Sequence, residues 1–274
     1  MDVPTPDGAS LRAELFMAAG ETPHPGVVVL HESFGLNDDI RRIAGRFAQA
    51  GYAALAPDLY SHGTRIACLS RVMVDMLSGG VTREIGDVHA TRETLAARPE
   101  VDPERIAVAG FCQGGGFALV AGAQPGFSAA AVNYGMVPSD RSRLDGLCPV
   151  VASYGARDRV VGRKMAERLE RHLEALGVPH DIETYERAGH SFFSHVDGWQ
   201  GWLARVPTPM AVGYDEQAAE DGWRRMLAFF EEHVRHQARL KTRPSSTYTA
   251  ISWTPSNHVV SPSELSVTVI NALS

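Results

Sequence analysis

A cysteine stands at the junction of an apolar run and a helix-forming segment, with a glycine two residues away on either side. The stretch Gly110-Phe111-Cys112-Gln113-Gly114 follows Ile106–Ala109 and opens Gln113–Ala123, a segment rich in Ala, Leu and Val. It has the form of the G-x-S-x-G nucleophile elbow, with sulfur in place of oxygen. A sharp strand-to-helix turn crowds the positions two before and two after the nucleophile, so glycine is needed there on steric grounds. A thiol at such a turn sits at a helix N-terminus, where the positive end of the dipole favours a thiolate. The N–H of Gln113 is then left to face an oxyanion. The chemistry implied is nucleophilic attack on an acyl carbon. The alternative is a small apolar cysteine in a glycine-rich turn.

A thiol nucleophile needs a base, and the base needs a group to orient it. With 11 histidines in the chain, residue type alone does not select one. On an elbow of this kind the order is nucleophile, acid, histidine. After Cys112, the run Val150–Tyr154 reads as a strand and leads into Gly155-Ala156-Arg157-Asp158; the next, Asp181–Tyr185, leads into Ala188-Gly189-His190-Ser191-Phe192. Asp158 and His190 are therefore the expected acid and base, at strand ends where open α/β sheets bind ligands. Phe192 and Phe193 are placed to wall the site. Asp158 is equally suited to N-cap the helix that follows. His190 has His195 as a neighbouring rival, and Asp58 is a further acid, although it precedes the nucleophile. Earlier, Val27–Leu30 runs into His31-Glu32-Ser33-Phe34-Gly35. A carboxylate here would bias a nearby thiol toward its neutral form and could accept its proton. The alternative for Glu32 is a surface residue paired with Arg41 or Arg42. The N–H of Ser33 occupies the usual position of the second oxyanion donor.

These residues require a scaffold of alternating strands and helices. Strands are expected at Leu11–Met17, Gly26–Leu30, Tyr52–Ala56, Ile106–Ala109, Ala129–Tyr134, Val150–Tyr154 and Asp181–Tyr185. Helices are expected at Ile40–Ala50, N-capped by Asp38 and Asp39, and at Thr82–Ala97, Gln113–Ala123, Arg163–Leu176 and Asp215–His236. The alternation predicts an α/β fold with a mostly parallel central sheet covered by helices on both faces. Residues 1–237 form the expected single domain. Residues 238–274 are rich in Ser and Thr and are expected to be a disordered tail, with one short strand conceivable at Val267–Ile270.

The chain has 274 residues, 44% hydrophobic and 21% charged, with net charge −6, in the range of a soluble globular domain. No long basic run is present, which argues against nucleic acid as a partner. No apolar stretch approaches the roughly 18 residues a membrane span needs, and the N-terminus has no secretory pattern. The three cysteines are widely spaced, so a reducing, cytoplasmic setting is expected. Cys68 and Cys148 read as small buried hydrophobes, Tyr134 and Trp223 as core or supporting residues. Cys112 with His31, His190 and His195 offers a thiol-redox or metal alternative, but no H-E-x-x-H or paired-Cys spacing exists. No cofactor and no metal are expected.

Four segments together resemble the dienelactone hydrolases (carboxymethylenebutenolidases), a family of the α/β-hydrolase fold. They are His31-Glu32-Ser33-Phe34-Gly35-Leu36-Asn37, Ala56-Pro57-Asp58-Leu59-Tyr60, Gly110-Phe111-Cys112-Gln113-Gly114-Gly115 and Ala188-Gly189-His190-Ser191-Phe192. The similarity spans about Met1 to His236. The resemblance implies Cys112 as nucleophile, His190 as base, Asp158 as its orienter and Glu32 as the group that holds the resting thiol and takes its proton. Ser33 and Gln113 would supply oxyanion N–H groups. The implied reaction is hydrolysis of a lactone or carboxylic ester through a thioester. The family's paired arginines for a substrate carboxylate are not both matched: Phe193-Ser194-His195 follows the histidine, while Arg65 and Arg71 follow Asp58-Leu59-Tyr60. Arg65, Arg71, Phe34 and Phe192 are the expected substrate-binding residues, and Trp199 and Trp202 lie in a loop placed to shape the pocket. The partner expected is a small-molecule ester or lactone, and the protein a monomer or homodimer. The competing reading is a non-catalytic family member that binds a small ligand in the same cleft.

Overall fold

Hydrophobic runs too apolar to alternate build the centre of the molecule. In a computed structural model of the chain, residues 1–61, 82–195 and 209–235 are described. Among these described residues, eight strands are β1 Asp2–Pro4, β2 Ser10–Phe16, β3 His24–Leu30, β4 Ala53–Pro57, β5 Val101–Phe111, β6 Ala129–Asn133, β7 Val150–Gly155 and β8 His180–Tyr185. They form one sheet in the order β1-β2-β4-β3-β5-β6-β7-β8. β1, β2 and β4 pair antiparallel, and the remaining neighbours pair parallel. Every residue of β3, β4, β6 and β7 is buried, as expected for strands covered on both faces.

Successive side chains leave a strand on opposite faces. From β3, Val28 and Leu30 join Val108, Val132 and Ala152 on one side, and Val27 and Val29 join Ala107, Ala109 and Val151 on the other. The first face is covered by helices α2 Thr82–Ala96, α3 Gln113–Ala121 and α4 Gly162–Leu176, through Ile85, Val88, Phe117, Met165 and Leu169. The second is covered by α1 Asp38–Gln49 and α5 Glu216–Phe230, through Ile40, Phe47, Trp223 and Phe230. The rings of Phe47 and Trp223 lie 4.7 Å apart.

Two expectations are corrected in detail. The cap of α1 is Asn37, whose Oδ1 accepts the N–H of Ile40 at 3.0 Å. Asp38 and Asp39 instead lie in the first turn, paired with Arg41 and Arg42. β5 starts five residues earlier than Ile106, because Val101 already pairs with His24 across a register shift. The short β1 is absent from the expected strands; three residues carry no readable period. The last helix, expected from Asp215, begins at Glu216, and Asp215 is its N-cap, accepting from Ala218. The helix ends at Phe230 and continues as a π turn to Arg235. Residues 238–274, including Val267–Ile270, lie outside the described residues, as do Cys68, Arg65, Arg71, Trp199 and Trp202. Among the described residues, no helix is long and apolar enough to cross a membrane.

Candidate active site

The turn between β5 and α3 holds Cys112 at φ 54° and ψ −118°. That positive-φ conformation is rare for a side chain larger than hydrogen and is stabilised only by its surroundings. Here the Cys112 N–H donates to the carbonyl of Asn133 at 3.0 Å, and its own carbonyl accepts from Gly115 at 3.0 Å. The flanking glycines are sterically required. A Cβ on Gly110 would lie 1.9 Å from the carbonyl oxygen of Gly114, and one on Gly114 would lie 2.6 Å from that of Leu30.

Three strand ends then converge. Asp158 follows β7, and one carboxylate oxygen accepts the N–H groups of Val160 and Val161 at 2.9 and 3.0 Å. The other accepts Nδ1–H of His190 at 2.7 Å. The reading of Asp158 as N-cap is corrected: the N-cap of α4 is Val161, with no side-chain cap bond. One oxygen of Asp158 instead closes the turn that precedes α4, and the other orients the imidazole. His190 follows β8. Its N–H donates to Met210 and its carbonyl accepts from Gly213. Gly189 permits this approach, since a Cβ there would fall 1.7 Å from the carbonyl oxygen of Ala211. Nε2 of His190 lies 3.0 Å from Sγ of Cys112. His195, the rival, is exposed, with its ring 3.7 Å from that of Tyr214. Asp58 pairs with Arg12.

Burial on its own would lower the pKa of His190, but the sulfur of Cys112 and the Asp158 carboxylate outweigh it and push the imidazole up to about 10. Burial on its own would raise Asp158, but the bonds from His190, Val161 and Val160 outweigh it and hold the carboxyl below its usual value.

Glu32 follows β3 and is buried, 5% exposed, which excludes a surface role. Arg41 pairs with Glu14 and Asp38, and Arg42 with Asp39 and the carbonyl of Phe193. The Glu32 carboxylate accepts instead from three hydroxyls: Tyr134 at 2.9 Å and Ser194 at 2.8 Å on Oε1, and Ser191 at 3.2 Å on Oε2. Desolvation outweighs His190 and these bonds and raises its pKa. Tyr134, expected in the core, is there, but it also joins two site residues: its hydroxyl meets Glu32 and its ring lies 5.0 Å from that of His190. Sequence reasoning misses Ser191 and Ser194 as functional residues. Their only signal is proximity to His190 along the chain. Ser33 touches Gln113, its Oγ 3.3 Å from Oε1. Phe34 is half-buried. Phe192 is fully buried, packed on Tyr134, Tyr185 and Phe193.

Among the described residues, the non-glycine residues at positive φ are Cys112, Tyr134, Ser191 and Ala211. Two of them are contact residues of the site, one is Cys112 itself, and Ala211 abuts Gly189. Backbone strain of about 1–3 kcal/mol per residue is thus gathered at one place, as is common where a fold holds reactive geometry.

A strand–turn–helix elbow beside a histidine and an acid from later strand ends, all at one edge of a mostly parallel sheet, defines an α/β-hydrolase. Within that class the chain belongs to the dienelactone hydrolase family, whose model matches residues 11–234. It is similar to a Yersinia pestis protein named "Putative carboxymethylenebutenolidase", 28% identical over 231 residues that cover 77% of this chain and 79% of that protein. A Methylorubrum extorquens protein of the same name is 27% identical, covering 84% and 79%. Among solved structures, a dienelactone hydrolase-like promiscuous phosphotriesterase from metagenomic libraries is similar at TM-score 0.71 and 29% identity, covering 85% of this chain and 97% of that one.

Proposed function

We propose that this family member is a cysteine-dependent hydrolase of a lactone or carboxylic ester, acting through a thioester. The observation that carries the reading is the continuous chain of contacts from Asp158 through His190 to Sγ of Cys112, 2.7 and 3.0 Å long. With Sγ facing it, His190 Nε2 already holds the thiol proton, in line with the raised pKa of the imidazole, and the thiolate attacks the carbonyl carbon. The carbonyl electron pair moves onto oxygen, where the N–H groups of Ser33 and Gln113 stabilise it. Collapse re-forms the carbonyl and breaks the ester C–O bond; His190 returns its proton to the departing alkoxide, which in a lactone stays tethered to the acyl group. Water, deprotonated by Nε2, then attacks the thioester, and the thiolate leaves. Glu32 acts in the resting state. Rotation of Sγ from His190 toward its carboxylate keeps the thiol neutral and protected until substrate arrives. Phe34, with Arg65 and Arg71, is the proposed substrate-binding set; Phe192, fully buried, supports the site from behind Tyr134, and the ester or lactone is a small molecule. The proposed setting is the cytoplasm, where a nucleophilic thiol stays reduced, and the proposed state is a monomer or homodimer.

The test is acylation of the protein itself. Mixed with p-nitrophenyl acetate and quenched in acid, the wild type should carry one acetyl group on the peptide containing Cys112, and Cys112→Ala should neither acylate nor turn over. Undiminished turnover by Cys112→Ala would refute the assignment.

A further inference from the structure

His31 directly follows β3 and is itself fully buried. Its Nε2 lies 3.0 Å from the backbone nitrogen of Leu59, and its Nδ1 lies 2.7 Å from the carbonyl oxygen of Glu32. A backbone N–H can only donate and a carbonyl can only accept. Nε2 must therefore carry the lone pair and Nδ1 the proton, which makes the ring neutral and fixes a single tautomer.

The carbonyl that His31 holds belongs to the same peptide unit as the N–H of Ser33. A trans peptide is planar, with its C=O and N–H on opposite edges, so fixing one direction fixes the other. The Gly35 N–H donates to the same Glu32 oxygen at 3.0 Å and closes a tight turn in which Gly35 adopts φ 78°. Two donors thus pin the plane. The loop also lies against the elbow: Ser33 Oγ meets Gln113, and the carbonyl oxygen of His31 stands 2.7 Å from where a Cβ on Gly114 would be. A hydrogen bond accepted by the carbonyl also polarises the N–H across the amide, which makes it a stronger donor.

We propose that His31 is a positioning residue for oxyanion stabilisation, holding the Glu32–Ser33 peptide so that the Ser33 N–H faces the oxygen of the tetrahedral intermediate. This rests on the reading of Cys112 as an acylating nucleophile. Through Leu59 the same ring ties that loop to the turn after β4, where Tyr60 packs on it at 4.9 Å.

Three variants separate the two bonds. His31→Asn keeps a donor for the Glu32 carbonyl, His31→Gln keeps only an acceptor for Leu59, and His31→Leu keeps neither. For p-nitrophenyl acetate, kcat should fall about 100-fold in His31→Gln and His31→Leu, as on losing one oxyanion donor, with KM little changed. Affinity for a trifluoromethyl ketone, whose thiol adduct carries an oxyanion, should fall in step. Alkylation of Cys112 by iodoacetamide, which develops no oxyanion, should keep its wild-type rate. His31→Asn should retain most of kcat although its Tm falls. Equal kcat in His31→Asn and His31→Gln would overturn the proposal, even if His31→Leu does not fold. So would an alkylation rate that falls with kcat, which would mean that the nucleophile itself was disturbed. Failure of the underlying reading would look different: turnover would survive in Cys112→Ala.

Discussion

Replacing Asp158 by asparagine tests whether the acid works by dictating a tautomer. One carboxylate oxygen accepts two backbone N–H groups, from Val160 and Val161, and the other accepts Nδ1–H of His190 at 2.7 Å. An amide NH2 cannot accept the backbone pair, so the asparagine oxygen must stay on Val160 and Val161 and the NH2 must face Nδ1. His190 then has to present a lone pair at Nδ1, which moves its proton to Nε2. A protonated Nε2 pointing at Sγ 3.0 Å away cannot receive the thiol proton. The same exchange in a Ser-His-Asp site lowers kcat by about 10⁴. A thiol needs less help from its base, so a loss of about 10³ in kcat/KM is expected, equivalent to about 4 kcal/mol of transition-state stabilisation. The fold should survive, because the bonds to Val160 and Val161 are kept and the charge-assisted bond lost is worth only about 1.5–3 kcal/mol. Asp158→Ala reverses the ranking. It loses the bonds to Val160 and Val161 and is less stable than the asparagine variant, yet leaves His190 free to choose its tautomer and should be the more active of the two. Steady-state hydrolysis of p-nitrophenyl acetate beside thermal melts measures both. An asparagine variant within about tenfold of wild type, or one more active than the alanine variant, would refute the reasoning.

Further outcomes follow from burial and sterics. Glu32 has a raised pKa in the fold, so its stabilising contribution is largest below the ordinary carboxylate range and is lost as pH rises through the folded value. Glu32→Gln should therefore be more stable than wild type at pH 8, by roughly 1 kcal/mol, with the advantage vanishing in acid; urea titrations at both pH values decide it. Asp158 has the opposite sign: its lowered pKa contributes stability above the unfolded value that disappears as pH falls through the folded one, and the asparagine variant should lack that acid slope. His190 is raised to about 10 largely by the Cys112 sulfur and by Asp158, so imidazolium stabilisation is complete below about 6.5 and fades toward pH 10. In Cys112→Ala the His190 titration followed by NMR should move down; an unmoved titration would show that the sulfur contributes nothing. In α1, a Cβ added to Gly45 would meet nothing within 4 Å, and Gly45→Ala should stabilise by about 0.5–1 kcal/mol, read as a higher urea midpoint. Gly114→Ala meets two carbonyl oxygens below 3.0 Å and should abolish the folded elbow, as seen in solubility and circular dichroism.

Much of the scaffold was legible because its signals are local. Buried strands such as Val27–Val29 and Ala129–Val132 read as unbroken apolar runs, and α4 shows its period in Met165, Leu169 and Leu173. Errors came where a neighbour decided the boundary. Val101 extends β5 because His24 is there to pair with it, and Asn37 rather than Asp38 caps α1 because the chain turns in one residue earlier. Within the site, Cys112, Asp158 and His190 could be ordered along the chain by strand ends. The partners of Glu32 could not: Tyr134, Ser191 and Ser194 lie 102, 159 and 162 residues away.

The amino-acid order by itself determined that a thiol would be bent out of a strand end between two glycines, because the hard-sphere exclusion of Gly110 against the Gly114 carbonyl is settled within five residues, whereas that of Gly114 against Leu30 and His31 is tertiary. It also determined which later loops would come to the same edge, since parallel strands deliver their C-terminal ends together. Only the tertiary structure decided how the buried charges and tautomers are satisfied. It shared the oxygens of Asp158 between a backbone turn and an imidazole, surrounded Glu32 with hydroxyls instead of arginines, and fixed the ring of His31 between two peptide groups. Such hydrogen bonds, whether they join neighbours in a turn or residues more than a hundred apart, depend on packing to within tenths of an ångström, and no period or spacing along the chain encodes them.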